Sequence, residues 1–157
     1  MPDRLPDERY RPCVAALLQN DAGMVLICER RDFNGSWQFP QGGIDSGESP
    51  RQALTRELME ETSLPPPAYE IRSERSGYRY HFPERHRKRG KFIGQEQVYF
   101  LCRFTGVDTM INLETAHPEF RRWKWILPHE FELRWLPEFK RGVYRQVLRD
   151  FFEVDVD

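Results

Sequence analysis

The sequence predicts a mixed α/β domain built around one sheet, and three observations lead to this class. Short apolar runs bounded by turn residues indicate strands. Two longer segments with apolar residues at helical spacing indicate helices. Their order, three strands, a helix, further strands and a last helix, is typical of mixed α/β proteins. The chain of 157 residues has the length of a single domain with a full core.

The first strands are predicted to form a hairpin. Apolar runs over residues 13–18 and 24–28 are separated by the turn residues Asn20-Asp21-Ala22-Gly23. Residues 37–40 form a short third strand, and Gln41-Gly42-Gly43 is expected to close it as a glycine-rich loop.

The first helix is predicted over residues 50–62. Ser49 is the candidate N-cap, Pro50 occupies the favoured first position, and Gln52 completes a capping box. The prolines at positions 65–67 end the helix by Ser63, because proline cannot continue it.

The second half of the chain alternates strand patterns with one more helix. Residues 97–104 are apolar on both faces, which indicates a central strand. Residues 138–152 repeat apolar side chains at helical spacing and predict the second helix. The other two segments that alternate like strands are residues 78–82 and 120–127.

Composition excludes several classes of protein. A mean hydropathy of −0.75 without a long apolar run excludes a membrane-spanning protein. With 39% hydrophobic and 13% aromatic residues, wholesale disorder is not expected. The three cysteines lie far apart without a C-x-x-C pair, so buried free thiols are expected instead of disulfides or a zinc site.

The chain is expected to divide into a leader, one domain and a tail. Residues 1–9 are charged and broken by prolines, without the apolar core of a signal peptide. Residues 10–152 form the domain, and residues 153–157 form an acidic tail. Together with the free thiols, this leader predicts a cytoplasmic protein.

The first helix carries a cluster of glutamates. Glu57, Glu60 and Glu61 share one face, at the edge of the buried stripe of Leu54 and Leu58. Three like charges repel one another, and a hard cation, Mg²⁺ or Mn²⁺, is their natural counter-charge. The alternative is a solvated acidic face. The glycine-rich loop before the helix favours the metal, because glycine lets the backbone approach an ion closely.

The segment from Gly42 to Leu64 resembles the Nudix box. Gly42 is followed after five residues by Glu48, and after seven more by Arg56-Glu57-Leu58-Met59-Glu60-Glu61-Thr62-Ser63-Leu64. The family pattern is G-x5-E-x7-R-E-U-x-E-E-x-G-U, and only its late glycine differs, as Ser63. Glycine there would supply a left-handed cap, so serine is expected to cost about 1 kcal/mol or to alter the helix end.

This resemblance implies a Nudix hydrolase, an α/β/α sandwich around a mixed sheet that cleaves a nucleoside diphosphate linked to another group. A metal-activated water attacks phosphorus in that family. The resemblance implies Mg²⁺ ligands at Glu57, Glu60, Glu61 and the Gly42 carbonyl. It also implies that Arg56 and Glu48 orient the metal-binding helix.

A longer resemblance covers residues 10–150. Its matching segments are Tyr10-Arg11-Pro12, Ser36-Trp37-Gln38-Phe39-Pro40-Gln41-Gly42-Gly43, Ile93-Gly94-Gln95, Pro118-Glu119-Phe120 with Trp123, Phe139-Lys140-Arg141 and Val143-Tyr144-Arg145. They are similar to the RNA pyrophosphohydrolases of bacteria, a Nudix group also described as dinucleoside polyphosphate hydrolases. This resemblance implies removal of pyrophosphate from the 5′-triphosphate end of RNA, which starts RNA degradation.

Residue by residue, this second resemblance assigns further roles. Glu119 is implied as a fourth metal ligand or general base, and Arg31 and Phe139 as the two sides of a base-binding site. Contacts to phosphates are implied for Arg11, Ser36, Tyr80 and Lys140.

Several of these residues have a structural alternative. From the sequence alone, Glu119 is an ordinary surface acid before a strand. Phe139 is in phase with the apolar stripe of its helix and is equally a core residue. One aromatic set forms either a buried strand face, the favoured interpretation, or stacking surfaces for bases: Tyr78, Tyr80 and Phe82.

Residues 72–91 contain eight Lys and Arg against two Glu, which favours contact with a polyanion although the chain's net charge is −1. Three functions stay open: an Mg²⁺-dependent RNA 5′-pyrophosphohydrolase, a hydrolase of dinucleoside polyphosphates or nucleoside triphosphates, and a catalytically weak RNA-binding module. The basic segment and the long resemblance favour the first. The sequence leaves the oligomeric state open, a homodimer included.

Overall fold

The computed structural model describes residues 7–84 and 92–157. Residues 85–91, the most basic part of the segment 72–91, and residues 1–6 of the expected leader therefore lie outside the described residues. The elements of the described part are β1 (Tyr10–Gln19), β2 (Val25–Arg30), β3 (Trp37–Gln38), β4 (Gln41–Gly43), α1 (Pro50–Thr62), β5 (Tyr69–His81), β6 (Gly94–Phe104), β7 (Phe120–Ile126) and α2 (Glu138–Phe152).

The strands form one mixed sheet in the order β3-β2-β1-β6-β5, with β4 paired to β1 and β7 paired to β2. β1 runs parallel to β6 from Tyr10↔Gly94 to Gln19↔Arg103, and the other pairings are antiparallel. The predicted central strand is β6, which lies between β1 and β5. The mixed α/β class is therefore confirmed.

Each face of the sheet packs against one helix. Successive residues of a strand point to opposite faces, so β1 contributes to two cores. Ala15 and Leu17 pack in the core that includes Val147 of α2. Val14 and Ala16 pack in the core that includes Leu54 and other residues of α1. The result is the expected α/β/α sandwich.

The caps of α1 are confirmed in detail. Ser49 Oγ accepts a hydrogen bond from the Gln52 amide at 3.1 Å, and Gln52 Oε1 accepts one from the Ser49 amide at 2.8 Å. Ser63 ends the helix in the left-handed conformation, with φ 64° and ψ 15°. Its hydroxyl donates to the Asn112 carbonyl at 2.8 Å, which offsets part of the conformational cost.

The structure differs from the sequence-based prediction in one loop and in the start of one strand. The expected loop Gln41-Gly42-Gly43 is strand β4, which pairs antiparallel with β1 from Cys13↔Gly43 to Ala15↔Gln41. The strand expected to begin at residue 78 is β5, which begins at Tyr69. Its first half is polar and exposed at a sheet edge, so it lacks the alternation of apolar side chains that marks a half-buried strand.

The last residues stay in contact with the domain beyond residue 152. Val156 is 6% exposed and belongs to the core against α2. Asp155 accepts a hydrogen bond from Arg149 at 2.8 Å. The segment expected as an acidic tail is therefore packed onto the domain.

The cysteines agree with the sequence-based expectation. Cys13, Cys28 and Cys102 are free and buried, as predicted. Within the described ranges, neither helix has the length and apolar character that crossing a bilayer requires.

Candidate metal and phosphate site

Arg56 connects the acidic face of α1 to the strand and loop that precede it. Its guanidinium donates to both carboxylate oxygens of Glu48, at 2.7 and 2.9 Å, and to the Gly43 carbonyl at 2.8 Å. It also donates to Glu57 at 2.7 Å and to Glu60 at 3.2 Å. The hydrogen bonds from Arg56 lower the pKa of Glu48 to about 2. One arginine thus fixes the helix against β4.

Gly42 in β4 lies directly against the Glu57 carboxylate. A Cβ atom at position 42 would lie 2.0 Å from the Glu57 carboxyl carbon, far inside van der Waals contact. Only glycine leaves room for this approach. The Gly42 backbone and the Glu57 side chain therefore lie together, and the role of the Gly42 carbonyl as a ligand stays a prediction.

Glu61 is the most deeply placed acid of α1. It is 4% exposed, and neither of its carboxylate oxygens has a hydrogen-bond partner among the described residues. Burial, then the neighbouring carboxylates of Glu119 and Glu57, raise the pKa of Glu61 well above its usual value. Burial also raises the pKa of Glu57, against the opposing effect of Arg56.

These carboxylates fit a divalent cation. A cavity of about 470 Å³ is bordered by all four predicted acidic ligands. Buried oxygens without donors, crowded by like charge, are what a hard cation stabilises. In residues 7–84 and 92–157, no three Asp, Glu, His or Cys side chains already converge on one point that could hold an ion. An ion that contacts several of the acids therefore has to draw them together. The acids are Glu57, Glu60, Glu61 and Glu119.

Glu119 reaches this cavity from a loop far away in the sequence. It is exposed and directly precedes β7. Its carbonyl accepts a hydrogen bond from the Arg31 amide at 2.8 Å, which ties the loop to the end of β2. The pairing of β2 with β7 therefore brings Glu119 beside α1.

A second cavity, of about 530 Å³, shares Glu119 with the first. Arg30, Arg31 and Lys140 supply its positive charge. Burial, and to a lesser degree Arg30, lowers the pKa of Lys140 to about 8. Its remaining lining residues are Asp32, Gln38, Gln41, Gln95, Pro118 and Phe120. Three basic side chains stand against the two acids Asp32 and Glu119, and Arg30 pairs with Asp32 at 2.6 Å, which leaves an excess of positive charge that favours an anion.

Ser36 and Phe139 border a third cavity, of about 560 Å³, that adjoins the second through Arg30 and Lys140. Phe139 is partly buried against the core and also borders this cavity. Its position therefore fits a core residue and leaves the predicted stacking on a base open. Ser36 is 6% exposed. Sequence reasoning missed Arg30, because nothing in the sequence distinguishes it from Arg31.

Tyr80 lies mostly within the core, beside Phe139. It is 5% exposed, its ring packs 5.6 Å from that of Phe139, and its hydroxyl is buried. Tyr78 is also buried, so the interpretation of these two tyrosines as a buried strand face is confirmed. Tyr80 also borders a further cavity, of about 480 Å³, together with Arg79 and Phe139, so its contact with a phosphate stays a prediction.

Arg11 lies on β1 outside the residues that border the three cavities. Its guanidinium covers Gly43, where a Cβ atom would lie 2.4 Å from Nη2. Arg11 therefore lies against β4, one residue from Gly42.

Comparisons with known proteins agree on the family. The NUDIX domain matches residues 9–150. The RNA pyrophosphohydrolase of Roseobacter denitrificans is 44% identical over 155 residues, which cover 96% of this chain and 94% of that protein. The RNA pyrophosphohydrolase of Erythrobacter litoralis is 44% identical over 154 residues, 92% of each chain.

Solved structures share the fold at low sequence identity. The E. coli dihydroneopterin triphosphate pyrophosphohydrolase superposes with a TM-score of 0.62 at 20% identity, covering 90% of this chain and 96% of that one. A C. elegans Ap4A hydrolase in a binary complex gives a TM-score of 0.60 at 18% identity, covering 92% and 100%. With the domain match and the curated relatives, the carboxylate face of α1 places this chain in the Nudix family.

Proposed function

We propose that this protein is an Mg²⁺-dependent hydrolase that removes pyrophosphate from the 5′-triphosphate end of RNA and so initiates RNA decay. The observation that carries the proposal is that Glu119 borders two cavities. One is the carboxylate cavity, lined by Glu57, Glu60 and Glu61, and the other is the cationic cavity, lined by Arg30, Arg31 and Lys140. A polyphosphate that spans this residue meets a cation site on one side and arginine and lysine on the other. Relatives named RNA pyrophosphohydrolase, 44% identical over most of the chain, support RNA as the substrate.

The carboxylate cavity is the proposed metal site, for Mg²⁺ or Mn²⁺. When bound, the ion supplies a Lewis acid that activates water and offsets charge on the departing pyrophosphate. Arg56 keeps α1 and Glu48 in place through the hydrogen bonds described above. The groups that would hold the ion are the Gly42 carbonyl and the side chains of Glu57, Glu60, Glu61 and Glu119.

The cationic cavity is the proposed polyphosphate site. Lys140, joined by Arg30, neutralises phosphate charge there. Phe139, in the adjoining cavity, is the proposed stacking face for a base, with Arg31 on the other side of that base, and Ser36 is a proposed phosphate contact. Arg11, which lies against β4 outside the cavity lining, is the proposed phosphate contact from β1. We also propose that this unit, residues 10–152, works in the reducing cytoplasm, which its three buried free thiols support.

The test is an assay with RNA that carries a 5′-triphosphate labelled at the γ-phosphate, in the presence of Mg²⁺. Wild-type protein is expected to release labelled pyrophosphate, and Glu57→Gln and Glu61→Gln are expected to lose at least a hundredfold in rate. Glu74→Gln is the matched control, because Glu74 is also ion-paired, to Arg51 at 3.4 Å, but lies on β5.

A parallel reaction with diadenosine tetraphosphate separates the second function. Cleavage of the dinucleotide without release from RNA would contradict the proposal and make the protein a dinucleoside polyphosphate hydrolase. RNA binding without any turnover would also contradict the proposal and would indicate a catalytically weak RNA-binding module.

A further inference from the structure

Three glutamine side chains lie together at the cationic cavity. Gln41 and Gln95 line that cavity, and Gln97 is buried beside them, with 1% of its surface exposed. They come from β4 and β6, the two strands that flank β1 at this point. The register of the sheet aligns them, because the β1 partners of Gln41, Gln97 and Gln95 are Ala15, Cys13 and Arg11, alternate residues that share one face.

Gln97 orients the other two side chains. Its Nε2 atom donates to Gln41 Oε1 at 2.7 Å and to Gln95 Oε1 at 3.3 Å. A carboxamide accepts at its oxygen and donates at its nitrogen. Because Gln97 engages both oxygens, the NH₂ ends of Gln41 and Gln95 are the ends that remain for the cavity. Among the described residues, neither NH₂ group has an acceptor.

The charge of the cavity explains why the NH₂ ends of Gln41 and Gln95 face it. Arg31 and Lys140 line it with the glutamines, so it is suited to an anion. An amide nitrogen donates to a phosphate oxygen, whereas an amide oxygen in the same place repels it. We propose that Gln41 and Gln95 bind the polyphosphate of the substrate through their N–H groups, and that Gln97 is a positioning residue that keeps these groups turned toward it.

The cost of Gln97 to folding supports a functional role. Its own Oε1 atom is buried without a hydrogen-bond partner among the described residues. A buried, unpaired oxygen destabilises a fold, and an apolar side chain of the same shape avoids that cost. Gln97→Met removes this cost together with two hydrogen bonds, so the two effects offset each other and the melting temperature is expected to stay nearly unchanged. A glutamine kept for stability alone would be placed with both ends satisfied.

The direct test measures the affinity of inorganic tripolyphosphate by calorimetry in the presence of Mg²⁺. Gln41→Met and Gln95→Met are each expected to weaken binding about tenfold, since each removes a donor to a charged oxygen. Gln97→Met is expected to weaken it by a similar factor. Gln19→Met is the matched control, because Gln19 lies at the far end of β1 and its amide donates to Gly23 at 3.1 Å.

A combined variant shows whether Gln97 acts through its neighbours. In a Gln41→Met/Gln95→Met background, Gln97→Met is expected to cause no further loss, because no amide is left to orient. A loss that adds fully in this background would overturn the positioning role. So would unchanged affinity in Gln97→Met alone.

Gln97→Glu tests the direction of the amides. A carboxylate only accepts, so Gln41 and Gln95 would turn their nitrogens toward it and present oxygens to the cavity. Binding is expected to be at least ten times weaker than in Gln97→Met. The same substitution in the Gln41→Met/Gln95→Met background measures the effect of the added charge alone. If that effect equals the whole loss, the amide orientation is not its cause.

Kinetics with 5′-triphosphate RNA supply a readout that a purely structural role would not produce. KM is expected to rise about tenfold in Gln97→Met while kcat stays within about twofold. The inference rests on the proposed function only in needing a polyphosphate substrate. If wild-type protein fails to hydrolyse RNA, the proposed function fails, and the tripolyphosphate affinities still decide the role of the glutamines.

Discussion

The buried carboxylate of Glu29 accepts two hydrogen bonds from the guanidinium of Arg122, at 2.8 and 2.9 Å. It also accepts one from Arg121 at 2.8 Å and one from the Gly35 amide at 2.9 Å. These contacts join the end of β2, the loop that precedes Ser36 and the start of β7. All three segments border the cavities of the proposed site, so Glu29 holds together parts of the chain that must keep their positions around a substrate.

Glu29→Gln is expected to destabilise the protein by about 2 kcal/mol, because two arginines lose their buried counter-charge while remaining partly solvated. The hydrogen bonds from Arg122 lower the pKa of Glu29 to about 2 in the folded protein. The stability from this carboxylate is therefore complete above the unfolded pKa and is lost as pH falls toward about 2. Urea unfolding between neutral pH and pH 3 should show a shallower pH dependence in the variant. An unchanged slope would contradict this role.

Glu61 is expected to behave in the opposite way. Its pKa is raised in the folded protein, so its charged form at neutral pH destabilises the fold when no cation is bound. Glu61→Gln, which keeps the shape without the charge, should be more stable than wild type in EDTA by about 1 kcal/mol. Adding Mg²⁺ should raise the melting temperature of wild type but hardly that of the variant.

The control for this comparison is Glu60→Gln, since the Glu60 side chain is 59% exposed and its ion pair with Arg56, at 3.2 Å, contributes little at such exposure. Its stability in EDTA should equal that of wild type. A Glu61 variant that is less stable than wild type without metal would refute the strain assigned to this carboxylate.

Local signals made α1 and its glutamates predictable. The capping box and the prolines define the helix within one short stretch, and spacing along one helix fixes which side chains share a face. The end of the helix was predictable for the same reason. Ser63, which stands where the Nudix box has its last glycine, adopts the left-handed conformation that glycine would supply.

Features that depend on pairing between distant segments could not be predicted. Strand β4 has three residues and no apolar pattern, and only its pairing with β1 defines it. The glutamine cluster and the contact between Glu29 and Arg122 likewise join residues from separate strands. No spacing within the chain reports such contacts, because sheet register creates them.

Gly42→Ala is expected to abolish activity with little effect on the fold. The added methyl group would lie 2.0 Å from the Glu57 carboxyl carbon and must displace that side chain from the proposed metal site. A loss of at least a hundredfold in kcat/KM is expected, with Mg²⁺ no longer raising the melting temperature. Gly142→Ala is the matched control. Its Cβ meets no atom within 4 Å, and alanine in α2 should add about 0.5–1 kcal/mol of stability without changing the rate.

Lys140 is expected to make polyphosphate binding depend on pH above neutrality. Burial lowers its pKa to about 8, so the ammonium is present below that pH and is lost above it. The affinity for tripolyphosphate should therefore fall as pH rises through about 8, with the midpoint moved upward by the bound anion. Lys140→Arg keeps its charge over this range and should remove the decline, although its different geometry weakens binding at every pH. Calorimetric titrations of both proteins across this range test the assignment. If the affinity of Lys140→Arg declines with pH as that of wild type does, the titrating group is another group of the cavity and not Lys140.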